Sequence, residues 1–185
     1  MLLDQKRTKR LVRITAVITA IAFAGVALVI IAVIILGGGS SPTAEQLGEA
    51  RTRVEQEPEN PAAWDQLAAA YQADGQTPEA IDAARRAVQL APREFSRTIT
   101  LVQLLVQADR RGDAIEVMQA FTQRNPEDAE GFFQLGRLAQ EEGRVQLAIL
   151  SYQTYLRLAP DGASADAVRQ QLRMLEGGGA AAPPP

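Results

Sequence analysis

Three prolines, Pro92, Pro126 and Pro160, stand 34 residues apart, each after Ala or Asn, and the residues between them keep the same phase. A period of that length is one helix–turn–helix unit, which cannot bury its apolar face alone and must stack on its neighbours. Superposing the blocks aligns Trp64, Thr98 and Phe132, and likewise Leu67, Leu101 and Leu135. Ala80, Ala114 and Ala148 then coincide, each followed by Ile81, Ile115 or Ile149, and after them Ala87, Phe121 and Tyr155. The match runs from Pro61 to about Pro160 with no insertion or deletion. Such a chain is built to present a surface rather than to house a reaction.

Turn and capping residues predict helices at 61–74, 77–91, 95–109, 112–124, 129–142 and 145–158. Asn60-Pro61 and Thr77-Pro78 each place a capping side chain before a first-turn proline, and Asp128 stands ready to cap the fifth helix. An extra helix over 43–57 is expected to start at Thr43, with Gln46 at the reciprocal capping place and Leu47, Ala50 and Val54 as its apolar stripe. Pro58 lies 34 residues before Pro92, so this helix reads as the second half of a missing repeat. A last helix over 163–176, started by Ser164, has Ala167, Val168, Leu172 and Leu175 on one side and Arg169, Gln170 and Arg173 on the other. Residues 177–185 form a low-complexity tail, expected to be disordered. The expected fold is an all-α, right-handed helical solenoid of three repeats (61–94, 95–128 and 129–162) closed by one helix at each end.

The repeats resemble the tetratricopeptide repeat (TPR) family. The first carries Trp64-x-x-Leu67-Ala68-x-x-Tyr71, then Gly75, Ala80, Ala84, Ala87 and Pro92. The third carries Phe132, Leu135-Gly136, Gly143, Ala148, Tyr152 and Pro160. The second departs, with Thr98 for the aromatic, Val102 for the small residue, Leu105 for the Tyr and its turn glycine moved to Gly112. The resemblance implies a module that binds a protein or peptide, without cofactor or catalysis.

Ahead of the repeats, Ile14 to Leu36 is an uncharged apolar run of 23 residues. At about 1.5 Å per residue it would make a helix of roughly 34 Å, enough to span a bilayer. Five bases in residues 1–13 oppose only Asp4, and the uncharged linker 37–42 follows the run. The positive-inside rule therefore predicts a single-pass anchor over 14–36 with a cytoplasmic amino terminus and the repeats outside the cytoplasm, at the inner membrane. A cleaved signal peptide is the competing reading, with Gly37-x-Gly39 as a passable site, but its apolar core would be only roughly 7–15 residues. Ala16, Ala20 and Ala24 form a small-residue stripe through which two anchors could dimerise.

Residues 41–185 carry 14 Arg against 21 Asp and Glu, and both lysines lie in the first ten residues. An acidic repeat region lacks the positive footprint that nucleic acid requires. The chain has no Cys and no His, which excludes cysteine nucleophiles, His-based triads, and zinc or haem sites with nitrogen or sulfur ligands. The adjacent acids Glu141 and Glu142 point in different directions from a helix and read as solvated charges rather than an acid–base pair.

In the TPR family the first helix of each pair lines a concave groove. The residues free to face it here are Asp65, Ala69 and Gln72, then Ile99, Gln103 and Val106, then Phe133, Arg137 and Gln140. Ile99 and Phe133 are apolar where a surface residue would be polar, which suits a docked peptide or helix, or else cover by the last helix or the tail. The lysine–asparagine clamp by which some members hold chaperone carboxylates has no counterpart, since Asp65, Ala69 and Thr100 stand at its places. The order of membrane helix, linker, lone helix and repeats is also similar to the periplasmic half of the cytochrome c maturation apocytochrome chaperones, although their earlier membrane helix and cytoplasmic loop are missing. An accessory subunit of a membrane complex is a further alternative, using the convex face and the membrane helix.

Overall fold

The computed structural model describes residues 42–179, and these form eight α-helices joined by short turns. They are α1 (Pro42–Gln56), α2 (Pro61–Ala73), α3 (Thr77–Leu90), α4 (Phe95–Gln107), α5 (Arg111–Arg124), α6 (Ala129–Glu141), α7 (Val145–Leu158) and α8 (Ala165–Gly179). The expected membrane span at 14–36 and its small-residue stripe lie outside the described residues, and none of the eight helices is long and apolar enough to cross a membrane.

The small positions of the repeat let the two helices of each pair approach closely. Ala80, Ala114 and Ala148 are completely buried, and Ile81 and Ile115 beside them are sealed into the core. Ile149 is only half-buried, because a single helix follows it rather than a full repeat. The stripe Leu47, Ala50 and Val54 of α1 is buried against the first repeat, so α1 does act as an end cover.

Successive repeats are matched large against small. Phe121, near the end of α5, is 2% exposed and reaches Gly131 in the first turn of α6, where an added Cβ would come within 2.9 Å of its ring. The same ring packs at 5.6 Å from Phe95 of α4. Within the third pair, Gly136 leaves room for the ring of Tyr152, and a Cβ there would meet two ring carbons at 2.5 Å. Thr98, in the place of the aromatic, is buried and donates its hydroxyl to the Glu94 carbonyl at 3.3 Å.

Several local expectations change. Gln76, not Thr77, precedes the first turn of α3 and offers no side-chain bond, because the helix already includes Thr77. Thr43 likewise falls inside α1, which starts at Pro42. Asn60 and Asp128 do cap, accepting from the amides of Ala62 and Gly131 at 3.0 and 2.8 Å. At the carboxyl end, α8 continues through Gly177 to Gly179, so the first part of the expected tail is helical. The remainder lies outside the described residues.

Gly75 and Gly143 end α2 and α6 in the left-handed region, at φ 76° and 67°. The corresponding residue of the second repeat is Asp109, at φ 58°, and not Gly112, which belongs to α5. An L residue is strained there, although Asp tolerates it better than most. The Asp109 carboxylate pairs with Arg111 in an exposed contact of little energetic value. Asp109→Gly should therefore stabilise the protein by about 0.5–1 kcal/mol. Chemical denaturation of the two proteins side by side checks this, and a loss of stability would mean that the carboxylate contributes more than the backbone.

Candidate protein-binding groove

The first helices of the pairs, α2, α4 and α6, supply the expected groove, and the structure divides its residues into three groups. Ile99, Gln103, Val106 and Arg137 come together in a cleft of about 400 Å³ between α4 and α6. Its walls also include Phe95, Val102, Gln107, Gln134, Leu138 and Glu141. The floor is thus apolar and the rim amide-rich. One ion pair runs along the α6 side of the rim, Arg137 to Glu141 at 3.8 Å, with both side chains about half exposed, a loose contact that leaves the guanidinium open to solvent.

Phe133 and Gln140 belong to a second cleft, of about 340 Å³, between α6 and the last two helices, and Arg137 and Glu141 line it as well as the first. Phe133 packs its ring 5.5 Å from Tyr155 and 6.5 Å from Tyr152. It is half-buried against the cluster that holds Val168 and Leu172 of α8. Ile99 and Phe133 are both half-buried, and of the two arrangements expected for them Phe133 follows the second, being packed beside the last helix where the first helix of a fourth repeat would stand. Gln140 is tied down on two sides, donating to Gln171 at 3.0 Å and accepting from the Tyr152 hydroxyl at 2.9 Å. Burial pushes the Tyr152 phenol above its ordinary pKa, an effect that nearby Arg137 opposes.

Asp65, Ala69 and Gln72 make up the third group, on α2. Asp65 accepts from the Arg97 guanidinium at 2.8 Å, and Gln72 donates to Gln107 at 3.2 Å, while Ala69 is exposed. Two of the three side chains thus bond to α4 and stitch adjacent repeats together. They do not line the cleft between α4 and α6.

Sequence reasoning missed Phe95, Val102, Gln107, Gln134, Leu138 and Glu141 as cleft residues, and Ala167, Val168 and Gln171 of α8 as walls of the second cleft. An aromatic at the first position of α4, where the other repeats have Pro61 and Ala129, was the available signal for Phe95. Cover by the last helix is one expectation for Phe133, but nothing in the spacing marks Ala167 and Gln171 as its contributing residues.

Comparison with known proteins agrees with this architecture. The model of one family, described as the cytochrome c-type biogenesis protein H TPR domain, matches residues 45–165. No curated protein sequence matches the chain. Among solved structures, MamA (41-end) from Desulfovibrio magneticus RS-1 is similar at 20% identity and TM-score 0.55, over 80% of this chain and 81% of that one. YrrB, described as a TPR protein with an unusual peptide-binding site, is similar at 19% identity and TM-score 0.54, over 71% and 68% of the two chains. The first TPR of Spaghetti (RPAP3), bound to the HSP90 peptide SRMEEVD, is similar at 15% identity and TM-score 0.51, over 65% of this chain and 94% of that one. At these identities the likeness is one of fold.

Proposed function

The chain belongs to the cytochrome c-type biogenesis protein H TPR domain family, and on that premise we propose that it is a membrane-anchored, non-catalytic receptor that holds an unfolded or partly folded protein during cytochrome c maturation. Its client on this reading is apocytochrome c before haem attachment. The repeats stand on the periplasmic side of the inner membrane, tethered through residues 14–36.

The observation that carries the reading is the cleft between α4 and α6, with its apolar floor of Phe95, Ile99, Val106 and Leu138 and its ring of glutamines. An apolar concavity rimmed by amides suits a segment that offers alternating apolar and polar side chains, because the floor buries the former and the amides bond the latter. No catalytic step is needed, since holding the segment is sufficient. Confinement to the membrane would raise the effective concentration of client and receptor and allow a modest cleft to suffice.

Binding of haem-free cytochrome c to the detergent-solubilised full chain, measured by calorimetry, tests the reading. Ile99→Glu places a charge on the cleft floor and should weaken binding by about tenfold or more. Glu116→Ala, at an exposed position outside the cleft, should leave affinity unchanged. Equal affinities for the two variants, with native helix content in both, would move the interface elsewhere.

A further inference from the structure

Four large apolar side chains stand in solvent among the described residues, and three of them, Val145, Leu150 and Leu158, lie on α7. Leu150 is 62% exposed. Leu147, Leu150, Thr154 and Leu158 follow one another at i, i+3, i+7 and i+11, along one side of the helix that Val145 does not share. Leu150 and Leu158 are exposed there, while Leu147 packs against the core and Thr154 is half-buried. The repeat period makes the same stripe on α5 Asp113, Glu116, Ala120 and Arg124. On α3 it is Glu79, Asp82, Arg86 and Leu90, so the apolar end at Leu158 has a counterpart there and the change lies at the first two places. A stripe that is charged in two repeats has become uncharged in the third.

The charge of the neighbourhood changes with it. From Gly143 to Pro160 there is no carboxylate, and exposed Arg144 and Arg157 supply the charge. Residues 41–185 as a whole have 21 carboxylates against 14 arginines, and this acid-free stretch is the longest within them. The helix therefore combines aliphatic side chains with cations and carries no anion of its own, although Glu176 of α8 stands at its border and accepts from Gln153 at 3.4 Å.

We infer that this face of α7 rests on an anionic lipid surface, with its leucines at the headgroup–acyl boundary and its arginines on lipid phosphates. The inference rests on the proposed anchoring through residues 14–36. Anionic headgroups would repel an acidic domain everywhere except where carboxylates are absent and arginines stand beside apolar groups. Antiparallel pairing of α7 with α7 of a second copy would instead bring arginine beside arginine, which disfavours a self-contact. The anchor keeps a bilayer within reach, because residues 37–42 alone separate the apolar run from the start of the domain. A small patch that could not capture a free domain can then orient a tethered one.

The chain contains no cysteine, so single labels are unambiguous. Gln146→Cys, on exposed α7 next to the stripe, and Asp82→Cys, on α3, would each be labelled with a small fluorophore in the full chain. Both are then reconstituted into phosphatidylcholine vesicles with and without phosphatidylglycerol and carrying a nitroxide-lipid quencher. Vesicle flotation reports separately whether the chain is anchored. The expected result is quenching at residue 146 about twofold or more above that at residue 82, only with the anionic lipid, and abolished by Leu150→Glu/Leu158→Glu. Glutamate already occupies the first of these stripe positions on α5, and retained helix content confirms folding of the double variant. Equal quenching at both sites overturns the inference, even where flotation shows anchoring. Shielding of the label at residue 146 that depends on protein concentration, without lipid quenching, overturns it in favour of a protein contact. Failure to float would overturn both this inference and the anchored reading.

Discussion

Phe121→Ala is expected to cost about 3–4 kcal/mol, the largest single loss the fold predicts. The side chain is almost fully buried at the junction of the second and third repeats. Its ring lies against Phe95 on one side, and the backbone of Gly131 approaches so closely on the other that no side chain fits there. Neighbouring repeats lean on each other through such contacts, and a stack has few others by which to compensate. Urea denaturation measures the loss, and a fall of less than about 1 kcal/mol would mean that the junction closes around the missing ring. Phe121→Leu keeps much of the volume and should lose less than half as much.

Gly136→Val is expected to destabilise by about 2–3 kcal/mol, although replacing a mid-helix glycine normally helps. Helix propensity favours the change by a few tenths of a kcal/mol, which overpacking exceeds several-fold. A Cβ at residue 136 would lie 2.5 Å from two carbons of the Tyr152 ring, and the ring cannot swing away because it is buried and its hydroxyl is held by Gln140. The second repeat solves the same contact differently, with Val102 and Met118 at the corresponding places. Gly136→Val/Tyr152→Met transplants that pair and should recover most of the loss. A double variant as unstable as the single one would show that Tyr152 matters for more than its volume. Thermal melts of the three proteins decide between these outcomes.

The repeat period made most of the fold legible because it constrains packing at many positions at once. Ala80, Ala114 and Ala148 could be read as helix–helix contacts from recurrence alone, and all three are completely buried. Single-residue punctuation was less reliable. Thr77 was a plausible cap by type, yet the helix begins one residue earlier than a cap there would allow. Asp109 was invisible as a left-handed residue because a glycine three positions later drew the turn towards itself.

The groove was legible only in part, for a physical reason. Periodicity tells which side of a helix a residue occupies, but not which neighbour will reach it. Ile99, Gln103 and Val106 share one wall of the cleft because α6 stands opposite. Phe133 occupies the same place in its own repeat and is instead packed beside α8, whose sequence is out of register with the repeats. Asp65 and Gln72 were free by pattern and are bonded in fact, because Arg97 and Gln107 extend from the next repeat.

Phe95 belongs to two places at once: it lines the cleft between α4 and α6, and its ring packs on Phe121 inside the repeat junction. The two walls of that cleft come from different repeats, so its width is not a property of either repeat but of the angle between them. Phe95 backs the ring that meets Gly131 of the third repeat, so a side chain of the cleft floor also supports the repeat junction. A client that pushes on Phe95 therefore bears, one ring removed, on the contact that joins the second repeat to the third.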